Sequence, residues 1–235
     1  MVQITATFAC VLVAGALATR HSHPLRKRDH LATVAQPKSS DVEAAISAWA
    51  DDVNAVNAFL DGAEANLGDL ATLASDAQNA RDNFAIDEPN QLGTLTNWFN
   101  KDPNNPDSRD TSGPDAFNCA TNDLAVGQTI GNTVFNFESL VKDVFDNIVE
   151  DAQAGLTDAV KAQLAVVNSF RCCNVLPDLD IIWKDTAESA GLSIQNSLTG
   201  GVPITAARPA VCNGLDCSTA EGASTCAAKD NGRFS

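Results

Sequence analysis

The chain has 235 residues, of which 15 are basic and 30 acidic, for a formal net charge of −15, with 7 cysteines, 1 methionine and no tyrosine. So acidic a surface repels nucleic acid and anionic lipid, which argues against DNA, RNA or anionic membranes as partners, and it favours solubility. Past the first residues no apolar run reaches transmembrane length, so no membrane-spanning segment is expected.

From Ile4 to Ala18 the chain is apolar or small and uncharged. That run is too short to span a bilayer comfortably, and Ala16-Leu17-Ala18 has the small-x-small form of a cleavage site, so residues 1–18 are expected to be a signal peptide cut after Ala18. Residues 19–28 are basic and read as a propeptide. They end in Lys27-Arg28, which resembles the site of the kexin-type processing proteases of the fungal secretory pathway. Cleavage there starts the mature chain at Asp29 and leaves 11 basic residues against 30 acidic ones, a net charge of −19. Cys10 leaves with the signal. Cys119, Cys172, Cys173, Cys212, Cys217 and Cys226 remain, and six thiols in an exported chain imply up to three disulfides with fifteen possible connectivities.

Residues 29–39 are polar and read as a disordered lead-in. Ser40-Asp41-Val42-Glu43 fits a capping box, and apolar positions follow at alternating spacings of four and three from Val42 through Ile46, Trp49, Val53, Val56 and Leu60 to Ala77. That is the seam of a helix bundle, and Gly62 and Gly68 divide it into two helices over about 41–61 and 64–85. Asp87-Glu88-Pro89-Asn90 breaks the second one. A short amphipathic piece from Leu92 to Phe99 carries Trp98 and Phe99, expected to be an exposed contact patch.

Residues 101–115 hold prolines and turn formers and read as a solvated loop. Asp102 and Asn104 begin like a calcium loop, but Pro106 and Asp107 occupy its ligand and glycine positions. Helical patterning then resumes around Asn122 and runs through Leu124, Ile130, Phe137 and Phe145 to Ile148. Another helix follows from Thr157 to Phe170. Arg171-Cys172-Cys173-Asn174-Val175-Leu176-Pro177 ends it, and the last helix is expected over Asp178–Leu198. The tail, 199–235, is rich in Gly, Pro and small residues and cannot build a core of its own. The fold expected is all-α: one bundle of five to six helices over 40–198 with a disulfide-stapled irregular tail and no second domain.

The chemistry is defined mainly by what is missing. His30, in the lead-in, is the one histidine of the mature chain, which disfavours serine or cysteine nucleophiles that need a histidine base and zinc held by imidazoles. There is no Gly-rich phosphate loop. No catalytic residue, cofactor or metal site is therefore assigned. Asp51-Asp52, Asp87-Glu88 and Asp178-x-Asp180 are the carboxylate pairs a glycosidase would need, but acids are so abundant that solvated faces and caps explain them. The cysteines lack the Cys-x-x-Cys form and read as structural. Neighbouring thiols point different ways, so one of Cys172 and Cys173 is expected to hold Cys119 and the other the tail. Trp49 and Trp183 lie on inward faces and read as core.

Over residues 40–200 this acidic, Ala/Asp/Asn/Val-rich helical pattern resembles the small secreted fungal proteins of the hydrophobic-surface-binding and cell-wall galactomannoprotein group. The likeness is one of composition and spacing, and the extra cysteines depart from it. Arg171 to Pro177 also resembles a segment of uncharacterised secreted ascomycete proteins. The resemblance implies a non-enzymatic extracellular protein, a fungal effector or wall-associated protein, whose partner is a host or cell-wall component. A carrier of lipid or another apolar ligand in the bundle interior is the alternative, and a carboxylate-based hydrolase the second alternative.

Overall fold

The computed structural model describes residues 36–100, 113–126, 128–130, 133–135, 143–195, 200–220 and 223–229, all within one compact unit. The expected signal peptide and propeptide, with Ala18, Lys27 and Arg28, lie outside the described residues, as do nearly all of the lead-in and the loop up to residue 112.

Helix α1 (Ser39–Ala63) buries the predicted stripe: Val42, Ile46, Trp49, Val53, Val56 and Leu60 are all in the core. Its start is two residues earlier than the Ser40 capping box implies. The Asp41 carboxylate accepts the Lys38 amide at 2.7 Å, so the reciprocal partner is an aspartate at the third helical position rather than Glu43. A 3-10 turn (Ala65–Gly68) shifts the phase of the seam before α2 (Leu70–Ala80). Leu67 and Leu70 are thereby left only partly buried, and Leu73, Ala74 and Ala77 take the inward positions. A π-turn (Arg81–Ala85) leads to α3 (Glu88–Phe99), which carries Pro89 in its first turn, where a missing N–H costs nothing.

Two expectations fail in the middle of the chain. Helix begins at Asp115 rather than near Asn122, as α4 (Asp115–Val126). It then gives way to an antiparallel hairpin of β1 (Gln128–Ile130) and β2 (Thr133–Phe135), paired from Gln128–Phe135 to Ile130–Thr133, within an otherwise all-helical bundle. Val-, Ile- and Thr-rich runs suit either state, and Gly131-Asn132 is turn chemistry that the helical spacing concealed. Helix α5 (Phe145–Gln153) follows, and α6 (Thr157–Phe170) begins at the residue expected to cap it.

The largest correction concerns 171–177. The chain does not leave the helix there. A π-turn (Arg171–Val175), with the Leu176 N–H bonded to the Arg171 carbonyl, joins α6 directly to α7 (Leu176–Ser189). Helix α7 stops at Ser189, nine residues short of the expected Leu198. Gly191 adopts a left-handed φ of 64°, its N–H bonds to the Glu188 carbonyl, and Leu192 N–H bonds back to Ala187, which closes a Schellman motif. The same device, with Gly155 at φ 75°, ends α5.

Trp49, Trp98, Trp183, Phe117 and Phe170 fill the core, each with a side chain worth about 1.5–3 kcal/mol when fully buried. The Trp49 and Trp183 rings meet edge to face at 6.1 Å, as the inward assignment of both requires. Trp98 and Phe99 are not an exposed patch: they are 1% and 8% exposed. Leu95, Trp98 and Phe99 form one stripe of α3, which packs between α1 and α7. The Trp98 indole donates to the Ser189 hydroxyl at 3.0 Å, and the Phe99 ring sits 4.5 Å from that of Phe117.

Candidate functional site

The π-turn concentrates the molecule's unusual chemistry. A π-turn carries one residue more per turn than the α-helix around it, so the side chains it displays fan in several directions. Cys172 bonds Cys212 and Cys173 bonds Cys217, both in the tail, while Cys119 on α4 bonds Cys226. The expected link from Cys172 or Cys173 to Cys119 is therefore wrong. Both junction thiols face the tail, and the tail's far end returns to α4. All six cysteines are paired in three disulfides.

Pro177 has a part in this. It has no N–H to offer the Cys173 carbonyl, and that oxygen accepts the Ser224 amide of the tail at 2.8 Å instead. The Ser224 hydroxyl donates to the Asp178 carboxylate one residue further on. On another face of α7, Asp180 accepts the Ala206 N–H at 2.7 Å and pairs with Arg208 at 2.7 Å. From α1, Asn57 donates to the Ala207 carbonyl at 2.8 Å, and Asp61 accepts the Val211 N–H at 3.1 Å. Two disulfides and these bonds press 202–217 and Ser224 onto α1 and α7. The apposed segment requires Gly201, where a Cβ would collide with the Ser193 carbonyl oxygen next to the Ile194–Val202 bridge.

Inside the bundle lies a buried ion pair that sequence reading missed. Glu88 is wholly buried, Arg171 is 3% exposed, and Arg171 Nη2 approaches Glu88 Oε1 at 3.8 Å. The Trp49 indole donates to Glu88 Oε2 at 3.1 Å, and Arg171 Nε donates to Asn57 Oδ1 at 3.2 Å. Burial pushes the Glu88 carboxyl up from the usual range, against the pull of Arg171 and the indole N–H. Asn57 thus joins this interior network to the tail through its two ends. Glu88 read as half of a solvated acid pair because Asp87 precedes it and Pro89 follows it. The available clue was its spacing: Glu88 opens α3 and stands seven residues before Leu95 and eleven before Phe99, on the stripe that the helix turns inward.

The carboxylate pairs separate on inspection. Asp178 and Asp180 point to different anchors. Burial, offset in part by the Ser224 hydroxyl and reinforced by Asp123, raises Asp178 to about 8. Burial and the negative charges of Glu88, Asp87 and Asp51 raise Asp52 to about 7. Cys119, Asp123 and Cys226 lie close enough to ligate one ion, but the disulfide between the two sulfurs consumes both thiolates.

Between α1 and the tail runs an open polar groove of about 360 Å³ lined by Ser47, Asp51 and Asn54 of α1, by Trp183 of α7, and by Gln195 and Thr205 of the tail. Its walls are set by the same anchors that fix the tail. No protein-family model matches the chain, and comparison with curated proteins and with solved structures finds no similar protein.

Proposed function

We propose that this is an exported, non-enzymatic protein that works outside the cell by surface contact with a host or cell-wall component, as a fungal effector or wall-associated protein. One observation carries the reading. Every cysteine of the mature chain is spent on fastening a tail that has no core of its own to the helices, so the chain invests in a durable surface rather than in a reactive centre. Such cross-linking suits an oxidising compartment. The carrier reading is weakened by the interior, where the seam is filled by Trp49, Trp183 and Phe170 packed in the core. In the hydrolase reading, Asp178 and Asp180 are each engaged by the tail. Asp52 alone keeps an observation in favour of catalysis, since a half-buried carboxyl near 7 can hold a proton at neutral pH.

The test is co-sedimentation of the oxidised protein with isolated fungal cell wall and with host extracellular matrix, beside a reduced and alkylated control. Saturable binding by the oxidised form and its loss on reduction are expected. No saturable binding to either material would sink the reading. Hydrolysis of wall polysaccharide that Asp52→Asn abolishes would replace it with an enzymatic one. Retention of fatty acid or sterol, with a shift of tryptophan emission, would favour the carrier.

A further inference from the structure

The groove between α1 and the tail has the chemistry of a ligand site. At about 360 Å³ it falls at the small end of the range of about 300–1,000 Å³ typical of small-molecule sites. Ser47, Asp51 and Asn54 stand at i, i+4 and i+7, so α1 presents them as one stripe beside the buried stripe that carries Trp49. Gln195 and Thr205 face them from the tail. All five are exposed, and their side chains make no hydrogen bond to another protein group among the described residues. The set is therefore free to bond a ligand in place of water.

The types of group narrow the ligand. Two amides and two hydroxyls both donate and accept, and a single carboxylate accepts only. No cation lines the groove, and the chain's charge is strongly negative, so an anionic ligand is repelled. The small residues Ala50, Gly201 and Ala207 leave no apolar pocket for a peptide's side chains. Trp183 also lines the groove. It is 1% exposed, and its indole N–H has no hydrogen-bond partner among the described residues, an unusual state for a buried donor. A ligand dense in groups that both donate and accept, uncharged and slender, satisfies this lining.

We propose that the groove binds a short stretch of uncharged oligosaccharide, its hydroxyls bonded by Asn54, Gln195, Ser47 and Thr205 and its chain held between α1 and the tail. This rests on the surface-contact reading above and names the chemistry of the partner. The tail acts as one jaw of the site, so the disulfides at Cys172 and Cys173 set its width, and Gly201 permits the close approach that shapes it.

The test titrates the oxidised protein with β-1,3-linked gluco-oligosaccharide, manno-oligosaccharide and N-acetylglucosamine oligomers, read by calorimetry and by tryptophan emission. Saturable binding of at least one of them is expected, with the emission change absent from Trp183→Phe. Asn54→Ala together with Gln195→Ala should weaken it by about tenfold or more, as the loss of two direct hydrogen bonds implies. Both residues are exposed, so the double variant keeps its fold, and an unchanged melting temperature confirms that. Absence of saturable binding by all three sugars overturns the proposal. Binding undiminished in the double variant overturns it as well. If the double variant still sediments with wall or matrix as the unmodified protein does, the groove assignment fails while the surface-contact reading stands.

Discussion

Arg171 and Glu88 are each withdrawn from solvent, so neither charge can be hydrated when the other is lost. Arg171→Ala should therefore destabilise the protein by about 3–5 kcal/mol, the cost of stranding a buried carboxylate, in equilibrium denaturant unfolding. Glu88→Leu combined with Arg171→Met should recover most of that loss, because it removes both desolvation costs together. A double variant as unstable as Arg171→Ala would show that Arg171 acts through Asn57 and Val53 rather than through the carboxylate. At this scale the sequence was legible where residue type alone decides and opaque where the partner decides. Trp49 and Trp183 are core by type and spacing. Trp98 and Phe99 carry the same spacing with Leu95, yet their place beside a proline-rich loop suggested solvent, and only the packing of α3 between α1 and α7 reverses that. Glu88 shares the spacing of Leu95 and Phe99, but the cation that balances it, Arg171, lies 83 residues away in the chain.

Among the elements, α1 was readable to within two residues at each end because period and glycine agree, whereas α2 begins at Leu70, well after the expected 64, because a 3-10 turn intervenes, and it ends at Ala80, where a π-turn takes over. The 171–177 junction was not. Adjacent cysteines and a proline suggest a break, yet a π-turn accommodates both: it spares the amide that Pro177 lacks and aims two thiols at one tail. Loop-closure entropy then gives the size of each staple. The Cys172–Cys212 bond closes a separation of 40 residues, and its removal by Cys172→Ser with Cys212→Ser should cost about 4 kcal/mol in the chain-entropy account. Helical circular dichroism should persist in that variant, while limited proteolysis should open the tail between Val202 and Leu215. A variant that loses its helices along with the bond would mean that the tail is required for the bundle itself. Gly201→Ala should have a milder form of the same effect, since a Cβ there must push the tail off the Ser193 carbonyl.

Across the whole molecule, fold class, tail and staples followed from composition and cysteine count, whereas the disulfide pairing did not, because it depends on which face of a π-turn each thiol occupies. Charge is the property that acts at this scale, and its pH dependence has a definite sign. Burial raises Asp178 to about 8 and Asp52 to about 7, and it raises Glu88 and Asp180 as well. An acid whose folded pKa exceeds its unfolded value binds its proton more tightly in the native state. The stability it contributes is complete below the unfolded value near 4 and is lost as pH rises through the folded one. Asp69, Asp82 and Asp216, lowered by hydrogen bonds from Thr72, Arg81 and Ser218, work in the opposite sense, but only as pH falls below about 4. General repulsion among 30 acidic residues adds to the first trend. The protein should therefore be most stable near pH 4–5, and its melting temperature should fall by several degrees between pH 5 and pH 8.5. Asp178→Asn should flatten the upper part of that slope, because the amide keeps the Ser224 bond without titrating. Thermal melts across that range decide the matter: a melting temperature that rises with pH would show that paired carboxylates, rather than buried protonated ones, govern the stability of this bundle.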